Sequence, residues 1–145
     1  MHLERMKQWV EGLIGLPDNQ FNLAGWETPG YDGQRCYCAA AFAATMPEFN
    51  KLGLRQDEVA RPEFKGSVGV AAVARFFGIR LDEALSIVSP DFYADNEKAL
   101  RPYGPSNCPM VTKEACIARI ENTMLANLEK AREIEKQIAI AVAGL

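Results

Sequence analysis

The stretch Thr112–Leu145, TKEACIARIENTMLANLEKAREIEKQIAIAVAGL, decides the fold of this chain. Thr112 is a favourable N-cap, because its hydroxyl can accept a hydrogen bond from a free N–H at a helix start, and Glu114 favours the positive end of the helix dipole. Neither Pro nor Gly occurs again before Gly144. The stretch therefore predicts one continuous amphipathic helix of about thirty residues.

Apolar side chains repeat along this helix with a period of seven residues, and two rows define its apolar face. One row comprises Ile117, Met124, Ala131, Ile138 and Leu145, and the other, three residues further on, comprises Ile120, Asn127, Ile134 and Ala141. A surface helix buries such a face against the rest of its domain. We expect this packing for the first half of the helix, from Ile117 to Leu128.

The second half of the helix has a different character, since its last eight residues read IAIAVAGL and are apolar around much of the circumference. Such a surface is costly to leave in water. A helix of this length can project beyond a small domain, so the surface could dock on its own domain, on a second copy or on a foreign partner. We favour association over internal docking and predict a homodimer through this helix. The predicted interface comprises Ile134, Ile138, Val142 and Leu145.

Length and composition indicate one ordinary domain. The chain has 145 residues, of which 48% are hydrophobic and 24% charged. Its net charge of −3, without a basic cluster, argues against a nucleic-acid partner. No run of about 18 apolar residues predicts a membrane span, and no signal peptide is recognisable. We expect a cytoplasmic protein that folds without a cofactor.

The remaining sequence predicts shorter helices and two long irregular loops. The predicted helices are His2–Leu16, Tyr37–Met46, Val68–Phe77 with Ser67 as its cap and Gly78 at its end, and Asp82–Ser89. The loops span 18–35 and Pro90–Met110, and a short helix or hairpin is possible between 47 and 67. The last two helices resemble a helix–turn–helix pair, but the second lacks Arg, Lys, Asn and Gln for base edges. The fold class is thus mainly α: residues 1–145 form a single compact helical domain whose long last helix, 112–145, can project in its distal half.

The main alternative function is that of an enzyme whose active site is built from cysteines. Cys36 and Cys38 lie at the start of a predicted helix, where the dipole and Arg35 would lower a thiol pKa. The single histidine, His2, is poorly placed to act as a base, so we interpret the cysteines as buried structural thiols. A zinc site from Cys36, Cys38, Cys108 and Cys116 is a further alternative, although the spacing differs from zinc knuckles. We predict neither a catalytic residue nor a bound metal.

Aromatic residues and one arginine are the candidates for a small-ligand pocket. These are Trp26, Tyr31, Arg35 and Tyr103, because aromatic rings and guanidinium groups stack on planar ligands. This pattern keeps a second alternative open, a protein that sequesters a small ligand or nucleotide.

The order of several features resembles a loosely defined group of small phage and prophage proteins without assigned activity. Trp26 is followed by Gly33-x-x-Cys36, by CAAAFA from Cys38, and by MPEFNKLGL, VARFFGI, SPDFY and VTKEACIARI, so the resemblance covers about residues 21–124. It implies an accessory protein of the host cytoplasm that binds and disables a host machine, as anti-CRISPR and other counter-defence proteins do. The leading hypothesis is therefore a non-enzymatic inhibitor of a host protein.

Overall fold

The computed structural model describes residues 1–30, 33–100 and 109–145. Within these ranges the protein is mainly helical, which confirms the predicted class, but it also contains three small antiparallel sheets that the predicted class lacks. The helices are α1 (Leu3–Gly15), α2 (Ala39–Ala43), α3 (Pro47–Asn50), α4 (Val70–Phe77), α5 (Leu81–Val88) and α6 (Lys113–Ala143). The strands are β1 (Glu27–Pro29), β2 (Arg35–Tyr37), β3 (Arg55–Gln56), β4 (Pro62–Phe64), β5 (Ser67–Val68), β6 (Lys98–Ala99) and β7 (Met110–Val111).

An aromatic cluster forms the centre of the core. Trp9 of α1 stacks on Phe77 of α4, with ring centroids 4.3 Å apart, and its indole N–H donates to the Ala39 carbonyl. Phe49 and Phe76 meet this pair edge to face. Because all four rings are fully buried, the cluster joins α1, α3 and α4 and fixes where the other elements attach.

The predicted helix Tyr37–Met46 is shorter than expected and begins later. Tyr37 belongs to β2, which pairs with β1 in a hairpin, and α2 starts only after Cys38, its N-cap. The first predicted loop is therefore partly ordered as sheet. Local propensity favours helix in the Ala-rich run, but the backbone groups of β2 find their partners in β1, and this non-local pairing decides the boundary.

Helices α4 and α5 follow the prediction closely, with one correction. Ser67 does not cap α4, because it lies in β5, and Gly69 with φ +68° turns the chain into the helix instead. Gly78, with φ +65°, ends α4 in the left-handed conformation, as expected. In α5 the Glu83 carboxylate accepts from the Arg80 backbone N–H and so caps the first turn.

The second predicted loop also contains regular structure. Residues Pro90–Phe92 and Asp95–Glu97 form 3₁₀ turns, and β6 pairs with β7. Arg119 of α6 holds this segment against the helix. Its guanidinium lies 4.2 Å from the Tyr93 ring and donates two hydrogen bonds to the Glu97 carboxylate. The prediction of a wholly irregular segment is wrong for these residues, and residues 101–108 lie outside the described ranges.

Candidate interaction surface

Helix α6 begins as an integral part of the core. Thr112 caps it, as predicted, by accepting a hydrogen bond from the Ala115 N–H at 3.1 Å. Lys113 extends to the end of α1, where its ammonium donates to the Leu16 carbonyl at 2.7 Å. A cation is favourable at that end, because the last carbonyls of a helix have no partner within the helix.

The buried face of α6 continues for about three turns and then stops. Its buried side chains include Cys116, Ile120 and Thr123, packed against α1 and α5. Among the described residues, the last hydrogen bond from α6 to another element joins the Asn127 amide to the Glu83 carboxylate of α5, at 2.8 Å. The body, meaning the described residues before α6, therefore ends beside Asn127.

Beyond this point every residue from 129 to 145 is exposed. We call residues 129–145 the distal segment. It is helical to Ala143, and at about 1.5 Å per residue it extends roughly 25 Å past the body. The side-chain hydrogen bond from Gln137 to Glu133 lies within the segment itself. The structure thus places the four predicted interface residues on a projecting helix.

These four residues form one face, which we call the distal face: Ile134, Ile138, Val142 and Leu145. The first three are 49%, 57% and 61% exposed, and Leu145 is fully exposed. Four large apolar side chains on one stripe of a free helix form a continuous surface of the kind that marks interaction sites.

The distal face lies on the same side of α6 as the face buried in the body. Ile138 follows the buried Ile120 by about five helical turns at roughly 3.6 residues per turn, so the two side chains point in nearly the same direction. Ile140, which is 64% exposed, lies about 200° around the helix from there. The distal face is therefore a continuation of the core-packing surface into solvent.

The predicted ligand residues do not converge on one pocket. Trp26 borders a cavity of about 280 Å³, whereas Arg35 borders a separate groove of about 610 Å³ between the β1–β2 hairpin and the turn after β3. The cavity is lined by Leu23, Ala24, Gly25, Trp26, Cys38, Val70, Leu85, Val88 and Ser89. Tyr31 and Tyr103 lie outside the described residues.

Charge disfavours an anionic ligand in either cavity. None of the described side chains that line the Trp26 cavity is charged. In the groove, Arg35 is paired with Glu27 and Asp57 with Arg61, and a further carboxylate, Glu58, borders the same space. A nucleotide phosphate would therefore meet one neutralised cation and excess negative charge.

The thiols of Cys38 and Cys116 are in environments that suppress reactivity. Burial raises the pKa of Cys38 to about 11, although the N–H groups at the start of α2 act in the opposite direction. Arg35 points away toward Glu27, so the expected lowering of a thiol pKa is wrong for this residue. Burial likewise raises the pKa of Cys116 to about 12. Both groups are protonated at neutral pH, and thiols are poor nucleophiles and metal ligands.

Metal-binding side chains do not cluster in the part of the chain that the structure describes. In residues 1–30, 33–100 and 109–145, no three His, Cys, Asp or Glu side chains are placed to hold a metal ion. Cys36 donates to the Asn19 carbonyl, and Cys108 of the alternative zinc set lies outside these ranges.

The role of Asn127 was missed at the level of sequence. It lies in the apolar row of α6, and a polar residue at such a position commonly has a specific partner, which here is Glu83. This signal could have marked the edge of the body.

None of the described helices is both long enough and apolar enough to span a membrane. No family model, no curated protein and no solved structure matches this chain.

Proposed function

We propose that this protein is a non-enzymatic binding protein that forms a homodimer through the distal face of α6. One observation carries the proposal: a helical face that packs against the body up to Asn127 continues, uncovered, through Leu145. Moving apolar surface out of water contributes about 25 cal/mol per Å² buried, so covering this face stabilises an assembly. A second copy is always present at the concentration of the protein itself, and it carries the same apolar stripe.

Opposite faces of the same helix provide a matched test. Replacing Ile134 and Ile138 together by Ser removes apolar surface from the distal face, whereas the control Ile140→Ser makes one such replacement on the other side of the helix. Light scattering after size exclusion should give a dimer for the wild type and for Ile140→Ser, and a monomer for the double variant. A wild type that is monomeric at about 100 µM, where interfaces of modest size should be populated, would contradict the proposal.

For the target, we propose a protein of the phage host, and for the activity, inhibition of that protein. This part of the proposal depends on the resemblance to phage accessory proteins. Expression of the chain in bacteria that carry a CRISPR system should restore plaque formation by a targeted phage. The double variant at Ile134 and Ile138 tests whether the distal face takes part. Full immunity in the presence of the wild-type chain would count against a counter-defence role.

Sequestration of a small ligand is the weaker candidate, and it is favoured only by the apolar cavity at Trp26. The lining suits a small uncharged ligand better than a nucleotide, because the described part of it holds no cation. A thermal-shift screen with uncharged aromatic compounds, compared between the wild type and Trp26→Ala, would detect such binding.

A further inference from the structure

The direction in which the distal face points restricts how two copies can pair. The face lies on the side of α6 that carries the body, because Ile138 and the buried Ile120 point the same way. A helix that covers the distal face must therefore lie in line with the body and beyond its edge at Asn127. The space available to a second helix is bounded at that end.

A parallel pair of helices does not fit this space. Packed helices lie about 8–10 Å apart, so a parallel partner would run beside the first half of α6 as well as the distal segment. That position is already occupied by α1 and α5, which pack on α6 there. The second body would need the same volume, since each body lies on the inner side of its own helix.

We propose that two copies pair through their distal segments in an antiparallel arrangement, with Ile138 against the partner's Ile134. This inference rests on the proposed homodimer and adds its geometry. A twofold axis perpendicular to the helices puts the two bodies at opposite ends of the pair, so the bodies do not clash. Each body lies beyond the end of its partner's distal segment.

The apolar rows of α6 determine the register of this pair. Placing Ile138 on the partner's Ile134 brings Ala131 to the partner's Ala141, which lets the backbones approach closely. In the same register Leu145 reaches the partner's Asn127, beside the carboxylate-capped start of α5. Residues 129–145 therefore cover the partner's distal face up to the edge of its body without running into it.

Flanking residues give the antiparallel arrangement a distinct electrostatic property. Leu128 lies near the partner's Val142, which extends the apolar contact. Glu135 comes close to the partner's Glu135 at the twofold axis, and two like charges repel there. A parallel pair would instead place Glu135 beside the partner's Lys130, an attractive contact. The charge at position 135 thus has opposite effects in the two arrangements.

Disulfide trapping distinguishes the two arrangements directly. Ile134→Cys and Ile138→Cys are prepared as separate full-length proteins, one with an affinity tag, and with Cys108→Ser in both. In an antiparallel pair residue 134 of one copy meets residue 138 of the other, so mild oxidation of the mixture should give the tagged–untagged product. Each protein alone should cross-link poorly, because its cysteines are offset by about 6 Å along the axis.

Efficient cross-linking of each variant with itself, and not with the other, would overturn the antiparallel arrangement and leave the homodimer intact. A wild type that stays monomeric would instead overturn the proposed homodimer and this inference with it.

Glu135→Gln provides a second measurement that leaves the apolar contacts unchanged. We expect it to tighten the wild-type dimer several-fold in analytical ultracentrifugation at low salt, and the gain should shrink at high salt. Gln137→Glu is the matched control for adding charge near the axis and should weaken the dimer. Weaker association of Glu135→Gln would indicate the attractive contact of a parallel pair and would refute the arrangement.

Discussion

The same substitution at two places on one helical stripe should have very different effects on the free energy of unfolding. Ile120 is 0% exposed and packs in the core, whereas Ile138, on the same face of α6, is 57% exposed. Replacing Ile120 by Ala leaves a cavity among α1, α5 and α6, which costs about 2–5 kcal/mol. Replacing Ile138 by Ala removes no contact with the body, and Ala is the better helix former, so the change should stay within about 0.5 kcal/mol.

Thermal unfolding at low protein concentration measures this difference in the monomer. For a domain of this size, about 1 kcal/mol corresponds to about 2–4 °C, so Ile120→Ala, at about 2–5 kcal/mol, should lower Tm by roughly 4–20 °C. Ile138→Ala should leave Tm unchanged under dilute conditions. At high protein concentration the wild type should gain stability through association, and Ile138→Ala should lose that gain.

One result would refute the reasoning from exposure and helical phase. If Ile138→Ala lowered the dilute Tm as much as Ile120→Ala, the distal segment would have to pack on its own body. A Tm of the wild type that does not change between about 1 and 100 µM would remove the argument that association stabilises the fold.

Three further predictions concern the body. Cys38 and Cys116, with pKa values raised to about 11 and 12 by burial, should react with a disulfide reagent at pH 8 only after denaturation; rapid labelling of either of these two residues in the native protein, located by peptide mapping, would contradict their burial. Lys113→Met should destabilise the fold by about 1–3 kcal/mol in urea titration, because the carbonyl of Leu16 loses a buried donor. The Ala94 N–H and Arg119 hold the pKa of Glu97 below its usual value, so its stabilising effect is present above the unfolded pKa and is lost as the pH falls through the folded pKa. Glu97→Gln should therefore lower Tm near neutrality and converge with the wild type in acid; a constant difference would argue against this ion pair.

Local sequence signals were sufficient to predict the longer helices of the fold. The hydroxyl of Thr112, the left-handed Gly78 and the apolar spacing of α1 each act within a few residues of the chain, so the sequence contains the whole cause. The predicted bounds of α1, α4, α5 and α6 lie within a few residues of those observed for this reason.

The short strands could not be predicted in this way. β1 and β2 have three residues each, and Tyr37 of β2 also forms a bridge to Phe21, which lies outside the hairpin. Ser67 looks like a helix cap, but its backbone is needed in β5 opposite Phe64. In the first case a partner distant in sequence overrides a local preference, whereas in the second the tight β4–β5 pairing takes precedence over the helix cap.

One feature of the candidate surface, its apolar face, could be predicted from the sequence, and another, the edge of the body, could not. The helical period alone places Ile134, Ile138, Val142 and Leu145 on one face, whereas the edge of the body at Asn127 depends on where α5 packs. Periodicity is compatible with parallel and antiparallel pairs. Because the body occupies the inner side of α6 up to that edge, a second copy can cover the whole distal face only if its helix runs in the opposite direction. The position of Glu83 beside Asn127 therefore determines the direction of the proposed pairing, although neither residue would lie in the apolar centre of the contact.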